Sequence, residues 1–289
     1  MDCLVCGSVS WIRYLEKGEH RYVRCVKCDV VRLDPFPTDA QARSLYGDGY
    51  FTDASNAGYD DYCADEAVHR RNGRRRVERL GPVPAATNVL VDVGCAFGFT
   101  MLEARNAGWD PRGVEANSSA RRAVRAAGMS CEATFDALEL PPGSVGAVSF
   151  FQVLEHLPDP LQALRAAREA LAPGGKVCIE TWDRSSRVAR LAGRRWQQAS
   201  PPSVLWLLNE PSMAAMAHAA GLELQAHSRS TKWVTLGLVA GQMRDRGARG
   251  PLARVAAAAG GVAVPYFLDD LVAVSLVKSG RLVGGPAGP

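Results

Sequence analysis

The sequence predicts an α/β fold built on a parallel sheet and preceded by a small metal-binding head, on three observations. From Asn88 onward, short apolar runs alternate with helical stretches, the pattern of βαβ units. One run, Val89-Leu90-Val91-Asp92-Val93, passes directly into the small-residue turn Gly94-Cys95-Ala96-Phe97-Gly98. Ahead of both lie two Cys-x-x-Cys pairs, Cys3/Cys6 and Cys25/Cys28, with 18 residues between them.

A chain of 289 residues, 47% hydrophobic and 22% charged, can bury one large core and still carry an appendage, which argues against disorder. The net charge of +4 is too small to demand a polyanionic partner. Met1-Asp2-Cys3-Leu4 does not open a secretory signal. The longest weakly polar run, Val255 to Leu268, contains Pro265 and falls short of the roughly 20 apolar residues of a membrane span. The expectation is a cytoplasmic protein without a membrane span, and there clustered cysteines point to a metal rather than to disulfides.

Residues 1–35 form the head, with β-like runs at Tyr22–Arg24 and Val30–Leu33, closed by Pro35 and Pro37. Thr38 and Gln41 form a capping-box pattern for a short helix to Leu45, ended by the turn at 47–51. His69 to Leu80 reads as an arginine-rich helix. Strands are expected at 88–93, 111–115, 130–133, 145–151 and 175–181, with helices at 98–107, 117–127 and 159–172. Gly128 and Pro173-Gly174-Gly175 supply the helix stops. A helix from Pro211 to Ala220 and strands at Leu222–Ala226 and Leu271–Lys278 complete seven strands. An insertion near 229–267, with helical material at 235–260, separates the last two.

The spacing C-x2-C-x18-C-x2-C suits a four-thiolate tetrahedral zinc site, and about 30 residues with so little apolar content would need the metal to fold. Four thiolates leave no open coordination position, so Cys3, Cys6, Cys25 and Cys28 are read as ligands of a structural zinc ion.

The turn at Gly94 to Gly98 lets backbone approach a ligand closely, although such a turn also suits dinucleotides or mere packing. Glu115 ends the next strand, where a carboxylate can accept hydrogen bonds from ribose hydroxyls. Asp92 beside the turn disfavours a phosphate ligand and tolerates a cation.

These residues resemble the class I S-adenosylmethionine-dependent methyltransferases. The resemblance continues through Phe135-Asp136, Pro141-Pro142-Gly143-Ser144, Phe150 to Pro160 and Leu171-Ala172-Pro173-Gly174-Gly175, and it covers roughly Asn88 to Ala226. It implies a Rossmann-like seven-stranded sheet of order 3-2-1-4-5-7-6 with strand 7 antiparallel. It also implies that Asp92, Gly94, Cys95, Ala96 and Gly98 wrap the methionine part of S-adenosylmethionine. Glu115 would take the ribose, Phe135 and Asp136 the adenine edge, and Phe151 and Gln152 the floor. Ala96 stands where the superfamily commonly has glycine. On this reading residues 1–35 are a zinc ribbon, 36–84 a helical connector and cofactor lid, and 85–289 the methyltransferase domain. The head, with Leu33-Asp34-Pro35-Phe36-Pro37-Thr38 and the aromatic residues to Phe51, is similar to bacterial small-molecule methyltransferases of biosynthetic pathways. A small-molecule acceptor, with O-methylation favoured, follows from that likeness.

His156 is the candidate catalytic base, placed where open α/β sheets bind ligands and suited by its near-neutral pKa. The alternative is that Glu155 and His156 cap the helix opening at Asp159 and orient the loop. The pair also resembles quinone-pathway O-methyltransferases that place a glutamate three residues earlier on a divalent ion. Gln152 stands there here and speaks against metal assistance. Arg184, Arg187, Arg190, Arg194 and Arg195 with Trp182, Trp196 and Trp206 read either as a lid over the acceptor or as an amphipathic helix with a solvated basic face. Cys63, Cys131, Cys178 and His218 read as packing residues, and His20 and His69 as surface residues. The run Arg70-Arg71-Asn72-Gly73-Arg74-Arg75-Arg76 reads as a solvated helix face, with one arginine available to the cofactor carboxylate.

A nucleic-acid methyltransferase is the rival enzyme, but Phe150-Phe151-Gln152-Val153 lacks the Asn/Asp-Pro-Pro-aromatic tetrad of many base-methylating enzymes. A protein that binds the cofactor and transfers nothing is the non-enzymatic rival. The acceptor, the methylated atom and the oligomeric state are left open at this level.

Overall fold

The computed structural model describes residues 2–38, 41, 51, 62–245 and 258–278. The head is an antiparallel sheet of β1 (Trp11–Lys17), β2 (His20–Cys25) and β3 (Val31–Asp34). The first long helix, α1, spans Glu66–Leu80. Then come β4 (Val89–Val93), α2 (Phe99–Asn106), β5 (Asp110–Val114), α3 (Ser118–Ala126), β6 (Ser130–Glu132) and β7 (Val145–Phe151). They are followed by α4 (Pro160–Ala170), β8 (Leu171–Trp182), α5 (Arg187–Ala192), β9 (Trp206–Leu207), α6 (Glu210–Ala219) and β10 (Leu222–Arg229). The chain continues with β11 (Lys232–Thr235), α7 (Leu236–Asp245), β12 (Ala263–Tyr266) and β13 (Leu271–Lys278). The Thr38–Gln41 capping box forms, with Gln41 N–H donating to Thr38 Oγ1 at 3.3 Å. The rest of the expected 38–45 helix and the turn before Phe51 lie outside the described residues.

The main sheet runs β10-β13-β8-β7-β4-β5-β6, and its strands in chain order give 3-2-1-4-5-7-6. β13 is antiparallel to both neighbours, whereas β4, β5, β6, β7 and β8 are parallel. The central strands are apolar and buried from both sides, as a parallel sheet covered by helices requires. One boundary differs from expectation: α4 ends at Ala170, because Leu171 already pairs with Val145. Pro173-Gly174 then bulges out of register before Lys176 meets Ala147. Gly174, at φ +78°, makes that bulge without a Cβ penalty.

The head is stitched to the larger sheet's surroundings. β9 adds to β3 as a fourth strand, and Tyr22 Oη donates to Val204 O at 2.8 Å. Arg184 and Asn209 both donate to Asp29. Trp196 is buried with Nε1 donating to Asp270, and Trp206 packs on Phe36 while its Nε1 donates to Leu157 O. Arg184, Trp196 and Trp206 thus tie head to sheet, Trp196 through its carbonyl, which accepts from Lys17 Nζ of β1 at 2.7 Å, and none of the three lines the cavity described below. Cys131 and Cys178 are buried as expected, but Cys63 and His218 are exposed.

The arginine-rich helix is the larger departure. Arg75 and Arg76 point inward and both pair with Glu180 of β8, which is 1% exposed. Ser230 Oγ also donates to Glu180, at 2.9 Å. Burial alone would raise the Glu180 pKa, but the two guanidiniums outweigh it and bring it down to about 2. Asn72 meets β11 twice, donating to Trp233 O at 2.9 Å and accepting from Trp233 N–H at 2.7 Å. Arg71 lies over the Trp233 ring at 3.2 Å. The insertion is thus tied to α1 by an amide pair and a stacked guanidinium.

Glu180→Ala leaves two guanidiniums facing a buried gap and should cost about 3–5 kcal/mol in urea unfolding. In the wild type the contribution is full above the ordinary carboxylate pKa of 4.5 and is lost as pH falls towards about 2. The difference between wild type and variant should therefore shrink in acid. A variant as stable as the wild type at pH 7 would show the cluster to be stabilised by packing alone.

Candidate active site

A cavity of about 350 Å³ opens at the C-terminal ends of β4, β5 and β7, within the range of small-ligand sites. The turn after β4 forms one wall. Gly94 sits at φ +71°, and a Cβ there would come within 2.3 Å of Val153 Cγ2, so this position needs glycine for conformation and for space. Ala96 adopts φ +48°, taking the left-handed conformation where the resemblance expects glycine.

The turn spends its N–H groups on the protein itself. Gly94 and Cys95 donate to Val114 O, Ala96 to Glu115 Oε2 and Gly98 to Cys95 O. Few donors remain for a phosphate, and the nearby charges have the wrong sign for one: Asp92 and Glu115 are buried and line the cavity. Burial raises the Asp92 pKa to about 6 against the hydroxyl of Ser149, which donates to Oδ1 at 2.7 Å. Burial also raises Glu115, opposed by the N–H groups of Asn117 and Ala96. Each Glu115 oxygen takes one of these backbone donors and keeps a further lone pair for a ligand hydroxyl. This donor set fits a cationic, ribose-bearing cofactor and not a dinucleotide pyrophosphate.

Of the residues singled out from sequence, Asp92, Gly94, Cys95, Ala96, Glu115, Phe151, Gln152 and His156 line this one cavity. Gly98 does not; it turns the chain into α2 at φ +77°. Asp136 is exposed and Phe135 packs against the core, so neither reaches the wall, where Ala133 does. Gln152 holds a left-handed backbone, φ +61°, with its N–H donating to Glu180 O at 2.6 Å. His156 is half-buried, and its Nδ1 lies 2.7 Å from Ser203 O. A carbonyl only accepts, so Nδ1 carries the proton and the neutral ring has its lone pair on Nε2.

The opposite wall comes from the 36–84 connector, expected as a cofactor lid with one arginine available to the cofactor, and from the insertion, whose residues the sequence reading did not single out. Tyr62, Asp65, His69, Asn72 and Arg76 enter from α1 and the turn before it, and Lys232 to Thr235 enter from the insertion. His69, expected at the surface, stacks on Tyr62 at 3.8 Å and lies nearly parallel to Phe99 at 5.8 Å. Burial, then the charges of Arg76 and Lys232, lower its pKa to about 4. The i, i+3, i+7 spacing of His69, Asn72 and Arg76 on one helix face was the available signal.

In the head, the four Sγ atoms of Cys3, Cys6, Cys25 and Cys28 lie within 4.8 Å of one another, with Cys3–Cys28 at 3.4 Å and Cys6–Cys25 at 3.5 Å. Thiolates about 2.3 Å from a tetrahedral ion sit about 3.8 Å apart, so the cluster fits one ion. At Cys25 burial opposes ionisation, but the N–H groups of Cys28 and Lys27 outweigh it and lower the thiol to about 7.

The strand order and the cavity fit a methyltransferase, and the comparisons supply the family. The profile of a family described as a methyltransferase domain matches residues 64–227, and the chain belongs to that family. A ubiquinone biosynthesis O-methyltransferase of Ralstonia nicotianae is 27% identical over 150 residues, 49% of this chain and 63% of that protein. One of Thiobacillus denitrificans is 24% identical over 189 residues, 61% of this chain and 82% of that protein. The match to the Ralstonia relative thus spans less than two thirds of its length. A SAM-dependent methyltransferase of Thermotoga maritima shares the fold, with a TM-score of 0.52 and 15% identity over 80% of this chain and 99% of that one.

Elemental analysis of freshly purified, reduced protein should find one tetrahedral transition-metal ion per chain. Cys25→Ser should lower thermal stability far more than Cys131→Ser, since one lost ligand opens the site whereas Cys131 only packs. Metal-free protein of unchanged stability would defeat the assignment.

Proposed function

We propose that the protein transfers a methyl group from S-adenosylmethionine to a hydroxyl oxygen of a small-molecule acceptor. The observation that carries this reading is a cavity in which an acidic, donor-poor turn and a histidine with a lone pair on Nε2 in its neutral form come together. The names of the curated relatives favour oxygen as the acceptor atom.

When bound, the cofactor supplies an electrophilic methyl group on a sulfonium. Asp92 and the turn from Gly94 to Gly98 hold its cationic end, and Glu115 accepts from its ribose hydroxyls. Ala133, the wall residue of the segment that carries Phe135 and Asp136, is assigned the adenine edge, and Phe151 and Gln152 the floor. His156 Nε2 takes the acceptor's hydroxyl proton, while the Ser203 carbonyl holds Nδ1–H and stabilises the imidazolium formed. The segment from Tyr62 through α1 covers the site and keeps water from it. The ion of the head is zinc, and its role is structural, because four thiolates close its coordination sphere.

Calorimetry and steady-state release of S-adenosylhomocysteine test the assignment together. Glu115→Gln should weaken S-adenosylmethionine binding by roughly 1.5–3 kcal/mol, the scale of hydrogen bonds to a charged group. His156→Ala should leave that affinity nearly intact and lower kcat by about 10²- to 10⁴-fold. A parallel fall in affinity would assign His156 to bracing the loop, and full activity would assign the rate to alignment alone.

A further inference from the structure

Lys232 opens the insertion strand β11 and lines the cavity opposite His156's loop. Its Nζ makes one long hydrogen bond, donating to Gln152 Oε1 at 3.4 Å. Otherwise it rests on ring faces, 4.6 Å from the Trp182 centroid and 6.0 Å from that of Tyr266. Among the described residues no carboxylate lies within 4.0 Å of it. Of the carboxylates whose charge reaches it, Glu180 is committed to Arg75, Arg76 and Ser230 and Asp270 to Trp196 and Tyr266, while Glu155, whose buried oxygens make no hydrogen bond, acts on it from beyond ion-pair distance. An ammonium desolvated on rings, with one weak acceptor and no ion pair, is poorly compensated by the protein itself. Burial lowers its pKa to about 8, against the raising influence of Glu180, Asp270 and Glu155 and alongside the lowering influence of Arg76.

We infer that Lys232 is the specificity-determining residue for the acceptor, pairing with an anionic oxygen, a carboxylate or an equally acidic group, carried on an aromatic frame. The aromatic frame follows from the walls on either side of Nζ: Phe151 and Trp233 line the cavity, and Trp182 and Tyr266 lie behind it. Gln152, which the turn holds in a left-handed conformation, gives up its long contact when the anion arrives. The assignment rests on the methyl-transfer reading only in calling the ligand an acceptor.

Calorimetry with aromatic acids and their methyl esters tests it, using 4-hydroxybenzoate and indole-3-acetate, with and without S-adenosylhomocysteine. Wild type should bind each acid at least about tenfold tighter than its ester at pH 7. Lys232→Met should bring the acid's Kd to that of the ester while leaving the ester's unchanged, and Lys232→Arg should restore most of the preference. In wild type the preference should fade as pH rises beyond about 8, since the ammonium then loses its proton; His69, already neutral, and Arg76, always charged, do not titrate there. Equal affinity for acid and ester in wild type, no binding of either acid, or a Lys232→Met variant that weakens both alike would overturn the inference. Failure of S-adenosylhomocysteine to bind would instead strike the methyl-transfer reading, and the acid–ester comparison made without it would still decide the role of Lys232.

Discussion

The carboxylate of Glu180 is the contact on which the site's architecture depends. It sits near the end of β8, buried, and collects two guanidiniums from α1 and a hydroxyl from the approach to β11. Without it Arg75 and Arg76 could not turn inward, because a buried guanidinium without a counter-charge costs more than its packing returns. With them inward, the face carrying His69, Asn72 and Arg76 closes over the mouth of the sheet, and Asn72 then fixes β11 through paired amide bonds. The backbone carbonyl of Glu180 takes the N–H of Gln152 and holds its unusual conformation. One side chain and one carbonyl thus set two walls of the cavity.

A second constraint chooses the ligand. Strand-turn-helix entrances of this kind bind phosphates when their N–H groups point outward. Here those of Gly94, Cys95, Ala96 and Gly98 are taken by Val114, Glu115 and Cys95, which leaves the entrance acidic. Ala96 N–H, donating to Glu115 Oε2, couples turn shape to charge. The alanine reaches its left-handed conformation while the carboxylate it contacts stays oriented for a hydroxyl ligand.

The part of this structure legible in the sequence is the part governed by local rules. Strand and helix periodicity give the seven-stranded sheet, the four-cysteine spacing gives the thiolate cluster, and the β4 turn with Glu115 gives one wall. What escaped notice depends on pairs far apart in the chain. The arginines of α1 look like a solvated face because nothing local to 70–76 discloses Glu180, 104 residues beyond Arg76. The insertion offers no motif at all: Lys232 becomes informative only once β11 is laid against α1. Pro173-Gly174-Gly175 looks like a helix stop and so draws Leu171 into the preceding helix, whereas in the structure it is a bulge inside a strand. Arg184, Trp196 and Trp206 read by composition either as a lid or as part of an amphipathic helix with a solvated basic face, and here they fasten the head.

Those fasteners connect the head to the loop that carries His156. β3 pairs with β9, so the strand that follows Cys28 carries Trp206 and Leu207 along its edge. Just before β9, the Ser203 carbonyl holds Nδ1–H of His156, and Leu205 N–H donates to Glu155 O at 2.9 Å while Leu33 N–H donates to Leu205 O at 2.8 Å. Trp206 Nε1 adds a third tie, to Leu157 O. The loop bearing the candidate base is therefore bonded at three successive residues, 155, 156 and 157, to a segment that is itself the fourth strand of the head's sheet. A head of about 30 residues held by its ion would keep that segment in register, whereas an unfolded head would free Ser203 and with it the tautomer of His156. On the proposed reading, a metal that touches no substrate would still bear on proton transfer, because the His156 ring lies one hydrogen bond beyond the segment that continues into the head's sheet.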